Sequence, residues 1–178
     1  MKTLKILLIS VLSALTFIAC KTDDEFYNAV YLSAPDLITV DASSGNAVSF
    51  HTEFSRFLPE LGQTAPLDVY ATSGAESFGF AYRIQMKDSN NNWVSVLGEG
   101  DEFTSADAVY DATSLTYKSD VTIPITIAGE YRLKFEDSYI GIQSTDLISR
   151  NPSNKTLIRL TTNPVGLNSD GHYYFTIN

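Results

Sequence analysis

The sequence predicts an all-β fold, an antiparallel two-sheet sandwich, on three observations. Apolar and polar residues alternate with period two along several runs, and turn-forming Gly, Asn and Asp clusters separate those runs. The only segments that look helical, Ser105 to Tyr110 and Ser144 to Ser149, are too short to anchor a helical layer.

Each strand follows from its own pattern. Val48, Phe50, Thr52 and Phe54 define one buried face. The clearest run places Phe78, Phe80, Tyr82, Ile84 and Met86 on a core face, with Gly79, Ala81, Arg83, Gln85 and Lys87 opposite them. Asp88-Ser89-Asn90-Asn91-Asn92 then predicts a hairpin into Trp93-Val94-Ser95-Val96-Leu97, because asparagine tolerates the left-handed backbone of tight turns. Val121, Ile123, Ile125 and Ile127 form the next face. Pro124 interrupts it without a ladder donor, so that strand is an edge or carries a bulge. Ala128-Gly129-Glu130 predicts a second hairpin, into Tyr131, Leu133 and Phe135. Asn168-Ser169-Asp170-Gly171 introduces the last strand, with Tyr173, Phe175 and Ile177 inward. Roughly nine short strands of this kind suit an immunoglobulin-like or jelly-roll arrangement. The segment Gly129-Glu130-Tyr131-Arg132-Leu133-Lys134-Phe135 resembles the penultimate strands of bacterial immunoglobulin-like modules, which implies a tyrosine packed near a sheet corner.

The N-terminus carries an address. Lys2 and Lys5 precede an apolar stretch that ends at Ala19-Cys20 and is followed by Lys21-Thr22-Asp23-Asp24-Glu25, the layout of a signal peptide over residues 1–19. Phe17-Ile18-Ala19-Cys20 resembles the lipobox of bacterial lipoproteins, with Phe17 where leucine is commoner. The resemblance implies diacylglyceryl modification and palmitoylation of Cys20 as the mature N-terminus, and two or three acyl chains make a stable anchor. Residues Lys21, Asp23, Asp24 and Glu25 resemble the acidic export signal of Bacteroidota-type lipoproteins, which implies the outer face of the outer membrane; a plain solvated linker in a periplasm-facing lipoprotein is the alternative. The expected organisation is therefore leader 1–19, lipidated cysteine and acidic linker 20–28, and one β domain over 29–178. A lone cysteine excludes an intramolecular disulfide, so the core must hold the domain.

Charge narrows the partners. Lys2 and Lys5 leave with the leader, so 12 basic residues become 10 against 21 acidic ones, and the net charge moves from -9 to -11. Such a field repels nucleic acid and anionic headgroups, leaving the lipid anchor as the expected membrane contact.

Chemistry-bearing constellations are sparse. Asp88, Asn90 and Asn92 alternate like the opening ligands of a calcium loop, but no glycine follows and Leu97 and Gly98 stand where a distal glutamate belongs, so a plain turn is the favoured reading. Glu99, Asp101 and Glu102 form a second oxygen-rich patch. His51 and His172 are too few for zinc, and neither belongs to a nucleophile motif; His51, next to Phe50, is expected to face solvent. Glu53 with Glu60, or Glu99 with Glu102, offers carboxylate pairs, but sequence supplies no separation across a cleft. No catalytic residue, metal or cofactor is therefore assigned.

Aromatic residues are the remaining candidates. Trp93 follows an exposed turn, where its ring suits stacking on a sugar with Asn91 and Asn92 donating polar contacts; a core tryptophan capping the sandwich accounts for the same residue and is the favoured reading. Tyr110, Tyr117 and Tyr139 fall outside the clean alternations, as loop aromatics or as strand ends. The expected function is that of a non-catalytic, surface-anchored lipoprotein serving as an accessory or interaction module of an outer-membrane assembly, with a protein partner there. The alternative is a glycan-binding module of a polysaccharide-uptake system.

Overall fold

The structure, a computed structural model, describes residues 28–43, 45–97 and 102–178. Cys20, Lys21, Asp23, Asp24 and Glu25 lie outside the described residues, as do Glu99 and Asp101. The described chain is all-β. Its strands are β1 (Asn28–Ser33), β2 (Ile38–Val40), β3 (Ala47–Ser55), β4 (Phe57–Leu58), β5 (Leu67–Asp68), β6 (Ser77–Lys87), β7 (Trp93–Ser95), β8 (Thr104–Asp111), β9 (Thr116–Pro124), β10 (Gly129–Phe135), β11 (Thr145–Arg150), β12 (Thr156–Thr162) and β13 (His172–Ile177), with a short helix α1 (Val69–Ser73) between β5 and β6.

The two-sheet antiparallel expectation meets a different ladder. Apart from the small β4–β5 pair, the strands join in one curled sheet in the order β1-β12-β11-β6-β8-β9-β3-β2, with β7 and β10 also on β6, and β13 on β10. It is mixed, because β1 pairs parallel with β12. Strand β6 explains the continuity: its first half pairs with β8 and β11, and its second half exchanges them for β7 and β10. At the far end the sheet curls until β2 meets the segment leaving β12, where Val40 N donates to Val165 O at 3.0 Å and Val165 N to Ile38 O at 2.8 Å.

Curling brings β3 opposite β6 and β10 across the interior. Phe50 meets Tyr82 at 4.9 Å, Phe135 at 5.3 Å and Phe80 at 6.1 Å, all edge-on, the geometry in which ring quadrupoles attract. The period-two reading of β3, β6 and β10 therefore describes the core, with departures in β6: Met86 packs only partly buried against it, and Gln85 on the opposite face is also buried, accepting from Arg132 Nε. In β13, Phe175 and Ile177 are buried and Tyr173 packs partly buried against the core. Tyr131 Oη donates to Ile127 O at 2.6 Å, tying the start of β10 to the loop that feeds it.

Three local expectations are corrected. Ser105 to Tyr110 and, from Thr145 on, the Ser144 to Ser149 segment are strand, within β8 and β11, because both edges of the first half of β6 present backbone groups that must be paired. Ala128 to Glu130 is a crossover and not a hairpin: β9 pairs with β3 and β8, whereas β10 pairs with β6 and β13. Ile127, on that crossover, is 60% exposed instead of lining the core, while Ile125 stays buried. Pro124 ends β9 opposite Ala47, beyond the 116–118 stretch that β8 covers, so its missing donor leaves no described strand unpaired.

Turn chemistry at 88–92 and 168–171 behaves as the residues predict. Asp88 Oδ1 accepts from Asn90 N and Asn92 N, both at 2.8 Å, and Asn91 takes φ 64°. Gly171 N donates to Asn168 O at 2.9 Å, and with φ +78° and Ile142 O only 2.2 Å from where a Cβ would stand, that position requires glycine.

Candidate functional site

The first candidate, Trp93, stands on the outward face of the β7-β6-β10-β13 part of the sheet and is not in the core. Arg132 from β10 lies over its ring at 4.6 Å, Lys87 at 5.9 Å, and the Tyr174 ring from β13 is 5.8 Å away. Those contacts are anchored in turn. Arg132 Nε donates to Gln85 Oε1 at 2.8 Å, and Tyr174 Oη donates to Asp170 Oδ2 at 2.7 Å. Nearby His172 is pushed below its ordinary value by burial and by the Arg132 charge. A shallow hollow of about 330 Å³ lies beside Trp93, but Asn91 and Asn92 do not line it. Both asparagines are exposed, and their backbones close the hairpin. The structure thus brings Trp93 to Arg132 and Tyr174, and does not join it to Asn91 and Asn92, while a cation already covers its ring.

The other flagged residues serve local structure. Two backbone N–H groups hold the Asp88 carboxyl below its ordinary range, with its Oδ1 turned into the turn. Glu53 pairs with Lys118 at 3.2 Å, and half-exposed His51 meets Asp41 at 3.1 Å. Among the described residues, no group of three His, Cys, Asp or Glu side chains is arranged to hold a metal. Tyr117 is core, donating to Ala75 O at 2.8 Å, and Tyr110 stacks on Tyr70 at 4.3 Å. Tyr139 alone of the three flagged tyrosines is a loop aromatic, 68% exposed.

Tyr139 marks the larger site. In the first half of β6 the outward positions are the small Gly79 and Ala81, with the Arg150 guanidinium seated over the glycine, and β11 and β12 border this floor with Asp146, Ile148, Arg150 and Arg159. The loop after β10 supplies the facing wall through Glu136, Asp137 and Tyr139, and it is pinned by Ser138 N donating to Ser144 O at 2.8 Å and by a 3.0 Å contact between the two hydroxyls. The result is an open groove of about 570 Å³. Beyond Tyr139 it adjoins a second hollow of about 370 Å³, walled by Tyr31 on β1, Pro59, Leu61 and Ile140. Tyr31 is 61% exposed and meets Tyr139 edge-on at 6.4 Å.

Both arginines along the groove stand in ion pairs. Arg159 Nη1 donates to Asp146 Oδ2 at 3.0 Å, and Thr161 Oγ1 donates to Asp146 Oδ1 at 2.7 Å. Arg159 Nε is buried and has no hydrogen-bond partner among the described residues. Arg150 Nε donates to Asp107 Oδ1 at 3.2 Å. The groove therefore combines exposed aromatic rings with fixed donors and acceptors side by side, a surface suited to holding a ligand that is apolar on one side and hydroxylated on its rim. Sequence reasoning flagged Tyr139 without a location and passed over Tyr31, Arg150 and Arg159; the available signal was the pair of small residues at outward positions of the strongest strand. No known family model, curated protein or solved structure matches this chain, so its function is read from its own geometry.

Proposed function

We propose that this chain is a non-catalytic binding module, tethered by an acylated Cys20 to the outer face of a bacterial outer membrane and serving there as an accessory or interaction subunit. The observation that carries the reading is the open groove between Tyr31 and Gly79, whose Arg159 and Arg150 side chains are engaged in ion pairs with Asp146 and Asp107. Such a surface offers recognition, since two guanidinium–carboxylate pairs and exposed rings present fixed partners to a ligand. The leader and the lipobox-like Phe17-Ile18-Ala19-Cys20 support the tether. Packing of Phe50 between the halves of the curled sheet, and the bond from Tyr131 to Ile127 O, support an immunoglobulin-like sandwich as the underlying architecture.

Mass spectrometry of the mature N-terminal peptide, combined with protease accessibility in intact cells, tests the tether. Acylated Cys20 and external cleavage are expected, and Cys20→Ser should move the protein out of the membrane fraction. An unmodified N-terminus, or protection until the outer membrane is broken, would overturn the surface assignment. The glycan-binding reading is favoured within this class by the Tyr31–Tyr139 pair beside Arg159 and Asp146.

A further inference from the structure

We propose that the groove running from Gly79 past Tyr139 to Tyr31 binds a neutral glycan chain, with the two tyrosine rings stacking on sugar faces and the Arg159–Asp146 pair gripping ring hydroxyls. This deepens the binding-module reading and rests on it.

Shape argues for a polymer. The two hollows, about 570 and 370 Å³, share Tyr139 as a common wall, and a chain of linked rings fills two adjoining hollows better than one compact molecule. Composition argues for sugar. A pyranose presents C–H groups on one face and hydroxyls around its rim; aromatic rings take the first, and paired charged groups take the second, because each hydroxyl both donates and accepts. Tyr31 and Tyr139 are 61% and 68% exposed, and Asp146 holds the Arg159 guanidinium where it lines the groove. The expected hydroxyl partners are therefore already oriented, which lowers the ordering cost of binding.

Charge argues for a neutral chain. Asp107, Glu136, Asp137 and Asp146 surround Arg150 and Arg159, and the whole protein carries net charge -9, so a uronic-acid polymer would enter against the field. A peptide strand would instead seek a free sheet edge for its backbone hydrogen bonds, whereas the larger hollow is floored by the face of β6 and β11, both interior to the ladder.

The test is affinity gel electrophoresis of the full-length protein, purified from membranes in detergent, through gels containing a soluble β-glucan, a galactomannan, an arabinoxylan or polygalacturonate. At least one neutral polymer should retard it. Tyr139→Ala and Tyr31→Ala should each weaken that retardation about tenfold, the loss expected for removing one stacked ring, and both rings are exposed enough for the core to survive. Arg159→Gln should weaken it as well, while Trp93→Ala leaves it unchanged. Retardation by none of the polymers, by polygalacturonate alone, or equally for the double tyrosine variant would overturn the glycan site. New reducing ends released from a retarding polymer would instead overturn the non-catalytic reading and leave the groove assignment standing.

Discussion

Arg150 lies directly over Gly79: a Cβ at Gly79 would stand 2.0 Å from the Arg150 Nε and 2.3 Å from its Cζ. The glycine is thus the seat of a guanidinium that Asp107 steadies from the other side. Gly79→Ala must push the guanidinium aside, but Arg150 is a flexible, half-exposed side chain and the strand backbone accepts alanine. Stability should therefore change by less than about 1 kcal/mol, since strand propensity gains offset the lost ion pair. Glycan retardation should weaken, because Arg150 borders the groove. Denaturant titration beside affinity electrophoresis separates the two effects.

Tyr131 is 1% exposed and its hydroxyl donates to Ile127 O at 2.6 Å, so Tyr131→Phe leaves that carbonyl without its partner on the crossover between β9 and β10. A loss of about 1 to 2 kcal/mol is expected, the usual effect of deleting one partner of a partly buried hydrogen bond. Equilibrium urea unfolding reads it; a variant as stable as the parent would mean that water replaces the hydroxyl at no cost.

Asp68 holds two structures at once. It caps α1 by accepting from Ala71 N at 2.9 Å, and both its oxygens accept from the Arg56 guanidinium, which also donates to Tyr110 Oη at 3.0 Å. Arg56 is accordingly the first cause of the lowered Asp68 value. Asp68→Ala should cost about 1 to 3 kcal/mol, because the cap and a charge-assisted pair go together, and Asp68→Asn should recover the cap portion alone. Thermal melts of the two variants give the ranking.

Much of the fold was legible because its signals are local. Phe78, Phe80, Tyr82 and Ile84 declare a strand with one core face regardless of neighbours, and Asp88 with its asparagines declares a turn through bonds spanning four residues. Strands β8 and β11 escaped because only Ala108 in the first, and Leu147 as the single large apolar side chain in the second, are fully buried hydrophobic residues; their strand character comes from the open edges of β6, distant in sequence. The crossover at Gly129 was misread for the same reason, since a short glycine turn says nothing about which strands pair. The groove was hidden more deeply. It is made by what Gly79 and Ala81 lack, by a loop tyrosine and by a tyrosine on an edge strand, and only the ladder order brings Tyr31, Tyr139 and Arg159 together.

The Asp88 turn gives the sharpest pH prediction. Backbone N–H groups of Asn92 and Asn90 lower the Asp88 value from its ordinary 3.8 in the folded state, while in the unfolded chain those bonds are absent. A depressed folded value means the unfolded state binds the proton first, so the contribution is fully present above the ordinary value. It is then lost as pH falls through that value toward the lower folded one. The same sign holds for Asp111 and Asp170, which are also lowered. Asp88→Asn keeps a side-chain oxygen to accept from the same N–H groups but cannot titrate. Its urea midpoint should therefore fall less steeply than that of the parent between about pH 5 and pH 2. Parallel curves for the two proteins over that window would show that the Asp88 carboxylate is not stabilised by the turn it closes.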